Sequence, residues 1–201
     1  MLPRLRGWGG SLSRQAGGIL ILLIAVGGAL LIYNHFEKKR STEVEINKFN
    51  SEYNINCENN VYSYKNIDEI LDLFDGKTGI VFLCTPTSKW CQRYALYLND
   101  VLLENNYQDE VYYLDITKER SLDSIKYQRL ITYLESYLYK NDQDDSKINM
   151  PDLTFIKEGT IVAHNNDTSL IPSDVKVDEY WNQNKIDDFK NKIKEYLEVI
   201  K

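Results

Sequence analysis

Apolar and polar residues fall in blocks along this chain, and the period changes from block to block. Residues 16–33, AGGILILLIAVGGALLIY, carry no charge. As a helix at about 1.5 Å per residue they would cover roughly 27 Å, close to the hydrocarbon thickness of a bilayer. They lack the polar stripe shown by helices of small soluble domains. Residues 34–60 turn polar and rich in Asn and Glu, and read as a tether. Beyond them the pattern becomes regular. NIDEILDLF, 66–74, sets Ile67, Ile70, Leu71 and Phe74 on one side of a short helix closed by Asp75-Gly76. GIVFLC, 79–84, is a continuous apolar run of strand length, as a strand buried on both faces requires. A helix follows from about Ser88 to Asn105, with Cys91, Tyr94, Leu98 and Leu102 on one face. EVYYLDI, 110–116, predicts a second strand. Residues 121–140 predict one long helix, with Leu122, Ile125, Leu130, Leu134 and Leu138 near helical spacing. MPDLTFIKEGTIVAH, 150–164, predicts a hairpin turning at Glu158-Gly159. The last stretch, 184–200, carries the stripe Ile186, Phe189, Ile193, Leu197 and Ile200.

Early alternation of helix and strand implies a parallel pair with a crossover helix, and the closing hairpin is antiparallel. The expected class is therefore α/β: a mixed sheet with helices on both faces, preceded by one transmembrane helix. The expected organisation is a short basic segment at 1–15, an anchor at 16–33, a tether at 34–60 and a folded domain at 61–201. Net charge is −6. The first 40 residues hold Arg4, Arg6, Arg14, Lys38, Lys39 and Arg40 against Glu37, leaving 18 basic and 29 acidic side chains in the rest. A body near −11 lacks the clustered cations that phosphate binding needs, which argues against nucleic acid as a partner. The residues after the apolar run, YNHFEKK, offer no small-x-small cleavage signal, so an uncleaved anchor is favoured over a signal peptide. The flanking charges bias the N-terminus weakly toward the inside, with the body outside the cytoplasm.

The stretch IVFLCTPTSKWCQ, residues 80–92, opens the helix after the central strand, and Met150-Pro151 precedes the hairpin. This order resembles the thioredoxin fold over roughly residues 60–200. In that family a Cys-x-x-Cys pair opens the helix, and a cis proline begins the hairpin strand facing it. The stretch also resembles the Thr-Pro-Thr-Cys-x-x-Cys variant of membrane-linked thioredoxin-like proteins of Gram-positive bacteria, including bacteriocin transport accessory proteins. Laid on that pattern, Ser88 takes the first cysteine's place and Cys91 the second's. A register with Cys91 first and Tyr94 second is the alternative. The Ser88 register needs no gap after the strand and points Cys91 inward. The resemblance implies a groove of Thr87, Ser88, Trp90, Cys91 and the Met150-Pro151 edge, where an extended partner segment would bind.

A dithiol site attacks with one thiolate and resolves with the other. The attacker sits at the helix N-terminus, where free N–H groups stabilise it. A serine there is not redox-active, but it caps the helix by accepting the N–H of Cys91. Three readings stay open for Cys91: an inert buried thiol, a monothiol, or a disulfide with Cys84 or Cys57. With three cysteines, at least one is unpaired. His35 and His164 make no metal-ligand spacing with them, and no Gly-rich phosphate loop occurs, so neither metal nor cofactor is expected. Asp142, Asp144 and Asp145 read as a solvated acidic loop, and Asn166-Asp167-Thr168 matches a glycosylation acceptor. The expected function is a membrane-anchored thioredoxin-like binding or accessory factor for exported proteins with a degenerate single-cysteine site. The alternative is a thiol–disulfide oxidoreductase or monothiol redox protein using Cys91.

Overall fold

A computed structural model describes residues 31, 33, 43–107, 109–139 and 147–201. The chain divides after Val44, and the body runs from Glu45 to Lys201. The expected anchor, 16–33, and the acidic loop at Asp142–Asp145 lie outside the described residues, save Leu31 and Tyr33. Among the described residues no helix is long and apolar enough to cross a membrane.

The body is a five-stranded mixed sheet with helices on both faces. Its strands are β1 (Tyr62–Tyr64), β2 (Gly79–Cys84), β3 (Val111–Asp115), β4 (Asp152–Lys157) and β5 (Thr160–Asn165), in the order β1-β3-β2-β4-β5. β3 runs parallel to both β1 and β2, while β4 is antiparallel to β2 and β5. Every residue of β2 is buried, as its unbroken apolar run requires. Ile80, Phe82 and Cys84 face one layer, with α3 (Lys89–Glu104) and α7 (Gln183–Ile200) above them. Val81 and Leu83 face the other, against α2 (Ile67–Leu71) and α5 (Ile125–Leu134).

Residues 45–60, expected as tether, instead belong to the body. Residues 43–53 form helix α1, and its Phe49 and Tyr53 are completely buried. Phe49 stacks between Tyr53 and Tyr62, with ring centroids 4.2 and 4.1 Å away, and meets Tyr113 edge-on at 5.2 Å. The polar return from α1 to β1 is held by asparagines. Asn50 Nδ2 donates to Cys57 O at 2.6 Å, Asn60 Nδ2 to Ile46 O at 3.4 Å, and Asn99 Nδ2 to Asn59 O at 3.2 Å. Amide side chains suit this work because they satisfy stray backbone donors and acceptors at once. These bonds also orient α1. Ile46 lies level with the strand starts, whereas Asn54 shares a cleft with Lys89 and Gln92 in the first turn of α3.

The long helix expected over 121–140 is two helices. α4 (Ile116–Leu122) ends on Asp123, which takes a left-handed φ of 46°. Ser124 then caps α5 by accepting Tyr127 N–H at 3.2 Å. The break leaves Leu122 and Ile125 exposed, while Tyr127, Leu130, Leu134 and Leu138 enter the core. Among the described residues the remaining short elements are three 3-10 turns and α6 (Val177–Tyr180).

The hairpin turns where expected. Glu158 and Gly159 have φ of 49° and 79°, the pair of positive angles that two-residue hairpins favour. Gly159 N donates to Lys77 O at 2.9 Å. A Cβ on Gly159 would sit 2.7 Å from Phe74 O and 2.8 Å from Gly76 N, so the turn and the chain after α2 pack backbone to backbone. Gly159→Ala is expected to cost about 2 kcal/mol, from the left-handed angle and the displaced backbone. Urea unfolding of the variant checks this.

Candidate functional site

The site forms where β2 ends and α3 begins. Thr85, Pro86, Thr87 and Ser88 make a tight turn, closed by Ser88 N donating to Thr85 O at 3.2 Å. Gln92 Nε2 braces it from the helix, donating to Pro86 O at 2.8 Å. Ser88 is the N-cap of α3, and its hydroxyl accepts the Cys91 N–H at 3.4 Å. Cys91 therefore stands at the third helical position and points into the core with Tyr94, Ala95, Leu98 and Leu102.

The two sulfurs at this junction are joined. Cys84, the last residue of β2, forms a disulfide with Cys91, with Cα atoms 5.9 Å apart. Of the three openings for Cys91, the structure takes the disulfide with Cys84. Neither residue has any solvent-exposed surface. Thr85 N–H points at Cys91 Sγ from 3.3 Å. Cys57 is the free cysteine. Burial first, and then the nearby Asp100 carboxylate, raise its thiol above the ordinary range.

These assignments are open to direct counting. Denatured without reductant, the chain is expected to take up one alkylating group; after reduction it takes up three. Mass spectrometry reads both numbers, and two or more adducts without reductant would remove the disulfide. In the native protein Cys57 holds less thiolate than a free cysteine at pH 8, because its pKa is raised. Its alkylation is therefore slow there and accelerates only at higher pH than a model thiol's.

The Met150-Pro151 bond is cis. Leu83 pairs with Asp152, so the next step of that antiparallel register brings Pro151 beside Cys84. The structure thus gathers Cys91, Cys84 and Pro151 at one rim. Thr87 is exposed there, Ser88, Trp90 and Met150 are half-buried, and Pro151 is buried. The Trp90 ring meets Tyr180 of α6 at 5.3 Å, which fixes one wall.

Sequence reading missed a polar pair directly behind the rim. Asp152 is completely buried, and its Oδ2 lies 3.0 Å from His164 Nε2. Thr154 donates to its other oxygen at 3.2 Å, and Tyr137 lies 4.9 Å from the imidazole. His164 thus faces the buried Asp152 carboxylate. The hairpin signal was only partial: the turn at Glu158-Gly159 alone would set His164 opposite Leu153, and a register shift between Phe155 and Ile156 moves it opposite Thr154 and diagonal to Asp152. On the other face, Tyr94 donates to Asn165 Oδ1 at 2.8 Å, and burial pushes its phenol well above the ordinary range.

The strand order, with β1, β3 and β2 parallel and β4 and β5 antiparallel, is consistent with a thioredoxin-like domain. No protein-family model matches the chain, and no curated protein matches it. Among solved structures it is similar to a candidate oxidoreductase with a thioredoxin fold. The two share 17% identity at a TM-score of 0.40, over 59% of this chain and 89% of that one.

Proposed function

We propose that this protein is a thioredoxin-like binding factor, anchored in a membrane by residues 16–33, which receives an extended segment of an exported polypeptide at the Ser88/Pro151 rim. One observation carries the reading: the two cysteines at the rim are bonded to each other and fully buried, while the helix N-cap is a serine. Dithiol exchange begins with an exposed thiolate. The half-buried N-cap position here offers a hydroxyl, which stays protonated near neutral pH. What the rim offers instead is the backbone just ahead of β4, bordered by Thr87, Trp90 and Met150. An extended peptide gains affinity at such an edge from main-chain hydrogen bonds and specificity from its alternate side chains. The resemblance to membrane-linked accessory proteins supports a role in export.

A second reading, a thiol–disulfide oxidoreductase acting through Cys91, is favoured by the position of the disulfide beside Pro151. Insulin reduction by dithiothreitol separates the two. The binding reading expects no acceleration by the protein and a loss of peptide affinity of about tenfold in Trp90→Ala, read by fluorescence anisotropy. Acceleration that vanishes in Cys91→Ala would establish the enzyme. Alkaline carbonate washing tests the anchor: the full chain stays with the membranes, and a version spanning 43–201 is released.

A further inference from the structure

One cleft carries a charge opposite to that of the body around it. Residues 41–201 hold 18 basic and 29 acidic side chains. A cleft of about 350 Å³ opens between the turn after α1, α3 and α6. Among the described residues its charged lining is Lys89, Arg93 and Asp178, so two cations and one carboxylate leave it at +1. Lys89 and Arg93 stand four residues apart on α3, which sets them on one face and makes their charges repel. Lys89 is exposed and has no hydrogen-bond or ion-pair partner among the described residues. Arg93 gives its Nε and Nη2 to a single oxygen of Asp178, at 3.2 and 2.8 Å. A guanidinium has five N–H donors, and Nη1 has no partner among the described residues. The pair's side chains are 45% and 79% exposed, and an ion pair so open to water contributes little to stability. On the α1 side, the exposed amide of Asn54 is also unengaged among the described residues. The cleft adjoins the rim. Lys89 follows Ser88, and Gln92, which also lines the cleft, donates to Pro86 O of the rim turn at 2.8 Å.

We infer, resting on the rim as a peptide site, that this cleft takes an acidic side chain of the polypeptide lying across the rim. The preferred partner is then an extended segment with Asp or Glu at one end. A carboxylate accepts from the Lys89 ammonium and from the free side of the Arg93 guanidinium together. Its single charge brings the cleft to zero and relieves the repulsion between the two cations. A phosphate, with nearly two charges, would leave an excess of negative charge beside Asp178. A Lys or Arg of the segment would meet two like charges. An apolar side chain would cover the Lys89 ammonium and give it no acceptor.

Fluorescence anisotropy on the full chain at about 0.15 M salt tests the cleft. The probes are two labelled, C-terminally amidated peptides of alternating Val and Thr, one ending in a pair of Glu and the other in a pair of Gln. The Glu peptide is expected to bind about five- to tenfold more tightly, against the net charge of the body. Lys89→Gln and Arg93→Gln each remove most of that preference and leave the affinity of the Gln peptide within about twofold. Lys194→Gln, the same charge change at an exposed position of α7 outside the cleft, keeps the preference. Equal affinity for the two peptides overturns the inference and leaves the rim site standing. So does a preference for Glu that both cleft variants retain, or displacement of the Glu peptide by inorganic phosphate at about 1 mM. Binding of neither peptide removes the rim as a peptide site, and the acidic preference with it.

Discussion

Phe49→Ala is expected to lower the thermal midpoint of the body by about 10–15 °C, a loss of about 3–5 kcal/mol. Phe49 has no exposed surface, and it touches four tyrosine rings: Tyr53 of its own helix, Tyr62 and Tyr64 of β1, and Tyr113 of β3. Removing the ring leaves a cavity that rigid aromatic neighbours close poorly, and it forfeits stacked and edge-on contacts beyond the area term. It also removes one of the two fully buried side chains that hold α1 to the sheet. Calorimetry of the variant against Leu122→Ala checks the size. Leu122 is 62% exposed, so its truncation should stay within about 0.5 kcal/mol. A Phe49 variant that melts with the parent would mean that α1 is not part of the core.

The second large effect belongs to the Cys84–Cys91 bond. Replacing both residues by alanine is expected to cost about 3–4 kcal/mol. The cross-link closes a loop of sequence separation 7. By the chain-entropy relation such a loop contributes about 2.5 kcal/mol, and two lost sulfurs in a close-packed core add about 1 kcal/mol. The parent in strong reductant should lose only the cross-link's share, about 2.5 kcal/mol, and unfold at a denaturant midpoint above that of the double variant, because it keeps both sulfurs. Equal stability of oxidised and reduced protein would show that the bond does not constrain the chain.

Much of the scaffold was legible because its periodicities are strong. β2 is a pure apolar run, α7 carries an almost unbroken stripe, and the hairpin declares itself through Glu158-Gly159. α1 was not legible, because only two of its side chains are fully buried, four residues apart among Asn, Lys and Glu. β1 is three residues long, too short for alternation to show. The α4–α5 break was written in Asp123-Ser124, a left-handed stop followed by a cap, but hydrophobic spacing across it hid the signal. At the site, helical spacing foretold that Cys91 turns inward and that Ser88 caps it. The partner of Cys91 was beyond periodicity, because strand, turn and helix must all be in place before Cys84 comes within 5.9 Å. Asp152 and His164 meet only once the hairpin register is known.

The direction of α1 decides how the body can be approached. The helix climbs from Ile46, level with the strand starts, toward Asn54 beside Lys89, so the body begins at the pole away from Thr87 and Trp90. The final turn of α7 lies at that same pole, where Ile200 and Lys201 border Thr78 and Gly79. Both ends of the body therefore lie at one pole, and a fluorophore, carrier or bead coupled to either of them leaves the opposite pole uncovered.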